Sequence, residues 1–157
     1  MAQNFKISVG IRHPSTEREA HYKEDGLRFG TQKTVKLCVQ TVYELQFRIK
    51  PHRELTNVQV DGVDLALKEA SKSEDQIVYT ADWDTQYSSV TKKANRYSML
   101  VLINIKDLGT MKTTIQSKFY NPGDSHLTWG SRLNNLEYDC KVNEDRAYVD
   151  IVKETFR

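Results

Sequence analysis

The sequence predicts an all-β protein, an antiparallel β-sandwich or flattened barrel of about ten strands. Segments in which apolar and polar residues alternate recur along the chain, and this period of two is typical of half-buried strands. Turn signals separate the segments at regular spacing, and no segment keeps the 3.6-residue period of an amphipathic helix. At 157 residues, the chain is predicted to form a single domain, residues 1–157.

The first predicted strand covers residues 5–11, where apolar and polar residues alternate until His13-Pro14. Turn signals follow at Asp25-Gly26 and Gly30. Residues 34–49 then place Val, Leu, Tyr, Phe and Ile on one face and are predicted to form one long strand. That strand ends before Pro51, because the residue preceding a proline is restricted and the proline has no N–H to donate.

Asp61-Gly62 lies between alternating apolar residues and gives the clearest hairpin signal in the chain. Residues 66–71 are compatible either with continued strand or with one helical turn. Residues 77–83 alternate again and predict a strand. Residues 84–96 have no period and many polar groups, so we expect a mobile loop there.

Residues 97–105 are apolar on both faces, which predicts a central strand covered on both sides. Residues 111–119 form a further strand, and the last strand is expected at residues 147–152. Between them, Pro122-Gly123 and Trp129-Gly130 bracket a loop that we expect to fold back across the sheet. Trp129 is therefore predicted to be buried, and its replacement by Ala to cost about 3 to 5 kcal/mol.

Composition narrows the class of protein. The formal net charge is +2, with acidic and basic residues almost balanced, so nothing in the composition indicates a nucleic-acid partner. The two cysteines, Cys38 and Cys140, are predicted to be free thiols of a cytoplasmic protein. No apolar run approaches the length of a transmembrane segment, and no signal peptide is recognised.

Candidate catalytic and metal-binding residues give weak signals. His13, His21, His52 and His126 fall on different predicted elements, and a metal site that gathers two of them with Asp124 or Cys140 is less expected than surface or turn histidines. Asp124-Ser125-His126 is contiguous, whereas a catalytic triad is a spatial arrangement with an oxyanion hole. We therefore expect no enzyme activity, no metal and no cofactor.

Basic and aromatic residues remain as candidate binding groups. Lys92-Lys93 and Arg96 form a small basic loop that is either solvated surface or a contact for acidic lipid headgroups or an acidic tail. The larger aromatic residues are expected in the core and at corners, although a ligand surface stays open as the alternative. These aromatic residues are Trp83, Phe119, Tyr120, Trp129 and Tyr138.

Short motifs along nearly the whole chain carry a resemblance to a known family. They are Tyr22-Lys23, Asp25-Gly26, Arg28-Phe29-Gly30, Thr34-Val35-Lys36-Leu37, Ile49-Lys50-Pro51, Gly62-Val63, Val78-Tyr79-Thr80, Asp84-Thr85, Gly109-Thr110, Lys118-Phe119-Tyr120-Asn121, Trp129-Gly130-Ser131, Glu137-Tyr138, Cys140-Lys141, Asn143-Glu144, Arg146, Lys153-Glu154 and Phe156. On these motifs the chain resembles the cannabinoid receptor-interacting protein family.

The resemblance implies a β-sandwich similar to those of GDP-dissociation inhibitors and a cytoplasmic, non-enzymatic protein. Its implied partners are the cytoplasmic tail of a G-protein-coupled receptor of the cannabinoid type and an acylated G-protein α subunit. Those partners would place the protein at the inner face of the plasma membrane. A hydrophobic cavity for the acyl chain is also implied, with inward-facing candidates Phe47, Tyr79, Met99, Val101, Ile103, Met111, Ile115, Phe119 and Trp129. The alternative is a structural or scaffold sandwich with a filled core and surface-only binding.

Overall fold

The computed structural model describes residues 4–13, 19–24, 33–86, 88–92, 95–143 and 148–157. Thirteen strands and a short 3₁₀ helix, Ser125–Thr128, make up its regular structure within those residues. The strands are β1 Asn4–Arg12, β2 His21–Glu24, β3 Lys33–Cys38, β4 Val42–Lys50, β5 Leu55–Val60, β6 Val63–Asp64, β7 Lys68–Lys72, β8 Ile77–Asp84, β9 Tyr97–Ile105, β10 Gly109–Tyr120, β11 Ser131–Arg132, β12 Leu136–Asn143 and β13 Tyr148–Phe156.

The strands form the two layers of a sandwich. One layer has the order β7-β8-β4-β1-β12-β13, and the other has the order β6-β5-β9-β10-β3-β2-β11. They are continuous through a short parallel pairing in which Thr110 and Met111 of β10 lie opposite Tyr148 and Val149 of β13. The path ends at β7 and β11, so the sheet is not closed into a barrel.

The core lies between the layers and follows directly from the alternation. In β4, for example, Tyr43, Leu45, Phe47 and Ile49 are all buried, while the residues between them are exposed or half-buried. Burying each large apolar side chain contributes about 1.5 to 3 kcal/mol relative to leaving it in water. Alternation therefore specifies the register as well as the strands, because a slip of one residue would turn each apolar face outward.

Contacts between the layers identify them as facing sheets. The thiol of Cys140 on β12 donates to the sulfur of Met111 on β10 at 3.5 Å. Near the other end of β10, Phe119 contacts Trp83 of β8 with ring centroids 6.5 Å apart. Cys38 and Cys140 are both free and buried, as predicted. Burial raises the pKa of the Cys140 thiol to about 12.

The all-β sandwich is confirmed, and several strands match their predictions closely. The predicted strands at residues 5–11, 77–83 and 111–119 correspond to β1, β8 and β10. The predicted hairpin joins β5 to β6, with Asp61 at φ 49° and Gly62 at φ 82°. Two successive positive φ angles give the turn that matches the right-handed twist of paired strands.

The prediction of one long strand over residues 34–49 is wrong. The chain turns between β3 and β4, with Gln40 at φ 54°, and the two strands lie in opposite layers. The turn leaves the alternation in step, since Val35 and Leu37 face the core before it and Tyr43 and Leu45 face the core after it. Periodicity alone therefore shows no break.

Other expectations are corrected in the same way. The option of a helical turn at residues 66–71 is wrong, because β7 occupies residues 68–72. β9 has two neighbouring strands, but the outward-facing Leu100 and Leu102 are only half-buried, so it is not covered on both sides. The sheet is mixed, since β10 pairs in parallel with both β3 and β13. β13 continues to Phe156.

Some expectations fall on residues outside the described ranges. These include the turns at Gly26 and Gly30, and residues 93 and 147. The described residues between β8 and β9 contain neither helix nor strand, while the mobility of that segment stays a prediction. Among the described residues, no helix has the length and hydropathy needed to cross a membrane.

Candidate functional site

A row of aromatic rings closes one end of the sandwich, where β4 begins and β8 and β10 end. Neighbouring ring centroids are 5.8 Å apart from His13 to Tyr43, 5.9 Å from Tyr43 to Trp83, 6.5 Å from Trp83 to Phe119 and 5.9 Å from Phe119 to Tyr97. Aromatic contacts at these distances add stability beyond burial alone. We call these five residues the aromatic row, and an opening lies on each side of it.

Hydrogen bonds hold the row in place. The Tyr43 hydroxyl accepts from the Cys38 N–H at 2.7 Å, and burial raises the pKa of Tyr43 to about 12. The buried hydroxyl of Thr85 donates to the Cys38 carbonyl at 2.7 Å, and its backbone N–H donates to the Thr41 carbonyl at 2.8 Å. The β3–β4 turn is thereby fixed to the end of β8.

The first opening, which we call the apolar mouth, is a cavity of about 400 Å³ between the two layers. It is lined by Val60, Asp61, Val63, Trp83, Asp84, Ser88, Ser89, Thr91, Tyr97 and Phe119. Val63 and Tyr97 at its rim are 62% and 42% exposed, while Trp83 and Phe119 are buried. The cavity therefore combines an aromatic inner wall with a solvent-exposed rim, where Val63 and Tyr97 lie among two Asp, two Ser and one Thr.

Two local arrangements shape the apolar mouth. The Asp61 carboxylate accepts from the Tyr97 hydroxyl at 2.7 Å and from the Leu100 N–H at 2.9 Å, which ties the β5–β6 hairpin to β9. The hydrogen bond to Asp61 is the main reason that the pKa of Tyr97 is raised to about 12. Before β9 begins, Thr91 also pairs with β10, since its N–H donates to the Phe119 carbonyl at 3.0 Å.

The second opening, which we call the histidine cleft, has a volume of about 290 Å³. It contains His13 and His21 together with Glu19, Lys36 and Tyr43. Within the described ranges, no three His, Cys, Asp or Glu side chains come together as a metal site requires. Charged groups line both openings, Asp61 and Asp84 at the mouth and Glu19 and Lys36 at the cleft, and the aromatic row separates the two.

Seven of the nine predicted cavity residues lie in the packed core and line neither opening. These are Phe47, Tyr79, Met99, Val101, Ile103, Met111 and Ile115. Phe119 lies in the same core and also lines the apolar mouth. Trp129 lies apart, on the outer side of the second layer.

The prediction that Trp129 is buried is wrong, since its side chain is 56% exposed. The loop does fold back across the sheet, but its backbone carries the attachment. The Lys36 ammonium donates to the Trp129 carbonyl at 2.7 Å and to the His126 carbonyl at 2.8 Å. The Trp129 ring lies 4.1 Å from that of His126, which in turn stacks on Tyr120. We call Tyr120, His126 and Trp129 the outer stack.

Asp124 and His126 have a structural explanation. Asp124 is the N-cap of the 3₁₀ helix, and its Oδ1 accepts from the His126 N–H at 2.9 Å. The same oxygen lies 2.8 Å from Nδ1 of the His126 ring. These two hydrogen bonds hold the pKa of the Asp124 carboxyl below its usual value. Capping accounts for this sequence without a catalytic role.

Sequence reasoning missed several residues that hold the aromatic row in place or line the apolar mouth. Tyr43 and Thr85 were not singled out as site residues, and Asp61 and Val63 were assigned only to a hairpin. The available signal was the position of aromatic residues at the ends of predicted strands, where two sheets of a sandwich open. It was not usable alone, because the sequence does not state which strand ends meet.

The fold and the apolar mouth define the class: an all-β sandwich protein with an opening of about 400 Å³ between its sheets. A family model for CB1 cannabinoid receptor-interacting protein 1 matches residues 1–156. The chain belongs to this family, as the sequence motifs predicted.

Individual relatives agree with the family match. CB1 cannabinoid receptor-interacting protein 1 of Homo sapiens is 35% identical over 155 residues, which cover 96% of this chain and 94% of that protein. The proteins of the same name from Bos taurus and Mus musculus are 36% and 34% identical, with the same coverage. The names of these relatives describe interaction with a receptor rather than a catalytic activity.

Proposed function

We propose that this protein is a non-enzymatic binding protein of G-protein-coupled receptor signalling. It binds the cytoplasmic tail of a receptor of the cannabinoid type and takes the acylated N-terminus of a G-protein α subunit into its apolar mouth. Family membership supports the receptor part. The apolar mouth is the single observation on which the acyl-chain part depends. Through these partners the protein would act at the inner face of the plasma membrane.

The size and lining of the apolar mouth suit an acyl chain. Its volume of about 400 Å³ falls within the range of roughly 300 to 1,000 Å³ typical of small-molecule sites. Trp83 and Phe119 supply the inner wall, and Val63 and Tyr97 supply the rim. A myristoyl chain gains about 0.8 kcal/mol for each buried CH₂, and part of this gain is lost when the ligand is ordered.

Receptor-tail binding by strand addition has an edge available at β7. The sheet path ends at this strand, and all five of its residues are exposed. Lys68 and Lys72 lie on this edge strand, on either side of a bulge between Glu69 and Ser71. A peptide with acidic residues would meet these lysines favourably.

Thermal shift and calorimetry with matched peptides test the acyl-chain part. The acylated N-terminal peptide of a G-protein α subunit is expected to bind more tightly than the same peptide without its acyl chain. At a concentration of about a hundred times its dissociation constant, the acylated peptide should stabilise the fold by about 2.7 kcal/mol. For a domain of this size the rise in Tm would be roughly 5 to 10 °C.

A pair of valine substitutions locates the binding site. Val63→Arg places a charge at the rim of the apolar mouth and is expected to weaken acyl-peptide binding by about tenfold or more. Val152→Arg is the matched control, because Val152 is 68% exposed on β13, away from the mouth, and Val63 is 62% exposed. Equal affinities for the acylated and unacylated peptides would refute the carrier function.

The second candidate function is a scaffold that binds partners only at its surface. It is favoured by the packing of the seven predicted cavity residues in the core, among which Phe47, Ile103 and Met111 are 0% exposed. In that case the receptor-tail peptide would bind while the acyl chain gave no additional affinity. Bulky or charged substitutions at Met99 or Val101 would then disturb folding, and the acylated and unacylated peptides would still bind with equal affinity.

A further inference from the structure

Basic residues face one another across four strands on the outer side of the second layer. Arg132 of β11 lies opposite His21 of β2, His21 lies opposite Lys36 of β3, and Lys36 lies opposite Lys118 of β10. Directly opposite residues project from the same side of a sheet, and like charges at such positions are destabilising. Lys36 and Lys118 are such a pair of like charges.

On that side the described residues of β11, β2, β3, β10 and β9 include no carboxylate, and Asp64 of β6 lies two strands beyond β9. Lys23 follows His21 by two residues in β2 and projects from the same side. Lys112 projects from β10 on the same side as Lys118. The outward-facing residues of β11, β2, β3, β10 and β9 are Arg132, His21, Lys23, Thr34, Lys36, Cys38, Thr110, Lys112, Thr114, Gln116, Lys118, Tyr120, Ser98, Leu100, Leu102 and Asn104. We call this surface the basic face.

The electrostatics of Lys36 show that these cations are close together. Burial lowers the pKa of Lys36 most, and the charges of Lys23, Lys118 and Arg96 lower it further. Asp124 acts in the opposite direction, but its carboxylate caps the 3₁₀ helix and contacts His126. A dense group of cations thus surrounds the side chain that holds the outer stack in place.

The basic face also presents an exposed indole. Lys36 fixes the Trp129 backbone, and Gly130 brings the chain so close to β2 that a Cβ there would lie 2.4 Å from the Tyr22 carbonyl oxygen. The indole is left 56% exposed on a firmly attached segment. Tryptophan is enriched at membrane–water interfaces, and clusters of Lys and Arg beside it favour anionic lipid.

The outer face of the other layer is different. Carboxylates lie among its cations: Lys6 forms a 2.7 Å ion pair with Glu137, and Arg12 lies opposite Glu44, although Lys6 also lies opposite Lys50. The two outer faces therefore differ in whether strand carboxylates lie among the cations, and the formal net charge of +2 of the whole chain does not reveal this difference.

We propose that the basic face docks on an anionic phospholipid bilayer, with Trp129 in the interface and Lys23, Lys118 and Arg132 against the headgroups. The row of cations crosses the strands instead of following one, which suits a flat array of headgroups better than an extended peptide. Four adjacent strands make a surface on the order of 15 Å wide. The face is separate from the apolar mouth, so the inference does not depend on the proposed function.

Vesicle co-sedimentation tests this inference. The protein is expected to bind vesicles of phosphatidylcholine with added phosphatidylserine, and to bind phosphatidylcholine vesicles weakly or not at all. Binding should fall as salt is raised, because salt screens exposed charges. A triple variant, Lys23→Gln with Lys118→Gln and Arg132→Gln, should lower partitioning by about fivefold per cation, or on the order of a hundredfold.

The other layer offers a control with the same loss of charge. Arg48→Gln with Lys50→Gln and Lys141→Gln removes three exposed cations from its outer face and should leave partitioning within about twofold of the parent. In a Trp83→Phe variant Trp129 is the sole tryptophan, and its emission should shift to shorter wavelength on anionic vesicles. Circular dichroism of each variant checks that it is folded.

Three results would overturn the inference. The first is equal binding to vesicles with and without phosphatidylserine. The second is an equal loss of binding in the two triple variants. The third is binding to polyglutamate or to an oligonucleotide without binding to anionic vesicles, which would assign the basic face to an acidic macromolecule instead of a bilayer.

Discussion

The two tryptophans occupy neighbouring aromatic clusters with opposite exposure. Trp83 lies in the aromatic row and is 7% exposed, while Trp129 lies in the outer stack and is 56% exposed. The clusters are separated by the thickness of β10, since Phe119 belongs to the row and the adjacent Tyr120 to the outer stack. The comparison teaches that the face of the strand, rather than the aromatic content of a segment, decides whether a ring supports the core.

The largest expected difference between the clusters is in the stability effect of their tryptophans. Trp83→Ala removes a ring packed between Tyr43 and Phe119 and should lower the free energy of unfolding by about 3 to 5 kcal/mol. Trp129→Ala should change it by no more than about 0.5 kcal/mol, as at most exposed positions. Urea denaturation of both variants measures the difference. Equal losses would show that the outer stack stabilises the fold as much as the row does.

A smaller effect is expected at the glycine that attaches the outer stack. Gly130 has φ 107°, and a Cβ there would lie 2.4 Å from the Tyr22 carbonyl oxygen. Gly130→Ala should therefore cost about 2 to 3 kcal/mol, through conformational strain and displacement of β2. Gly123→Ala is the control, since Gly123 has φ 83° with nothing near its would-be Cβ, and it should cost only about 1 kcal/mol. If both substitutions cost the same, the contact with β2 does not fix the loop.

The smallest effect is expected within the aromatic row, at the Tyr43 hydroxyl. Tyr43→Phe removes the acceptor of the Cys38 N–H and should cost about 1 kcal/mol at neutral pH. Burial raises the pKa of Tyr43 from 10.0 to about 12, so the folded state keeps a proton that the unfolded state releases in this interval. The contribution of that proton to stability is complete below pH 10 and is lost as the pH rises towards 12.

Denaturation at several alkaline pH values measures this contribution. The Tyr43→Phe variant should lose less stability than the parent between pH 10 and pH 12. The parent will lose stability there for other reasons as well, because Tyr97 and Cys140 also have pKa values raised to about 12. Identical pH dependence of parent and variant would show that the Tyr43 hydroxyl is not protected by the fold.

Most of the strands could be predicted because apolar and polar residues alternate when one face of a strand is buried. The prediction failed where the same alternation fits more than one arrangement of strands. The turn at Gln40 keeps the alternation in step, so β3 and β4 look like one strand although they lie in opposite layers. The parallel pairing of β10 with β3 and β13 could not be predicted either, since alternation carries no information about which strands are neighbours.

The candidate site was less predictable than the strands. Phe119 was selected as an inward-facing aromatic residue and does line the apolar mouth. Trp129 was assigned to the interior because its loop is rich in aromatic and glycine residues. Its carbonyl is bound by Lys36, a residue 93 positions away in the chain. No local pattern contains such a contact.

The sequence by itself determined the all-β sandwich and the family. Alternation of apolar and polar residues is a local property of each segment, and the family motifs are short segments in a fixed order. The tertiary structure alone decided how the charges are distributed. A nearly balanced composition, with a formal net charge of +2, becomes one outer face on which carboxylates lie among the cations and one basic face. The physical reason is that charge is a sum over residues, whereas an electrostatic surface depends on which strands the fold places side by side.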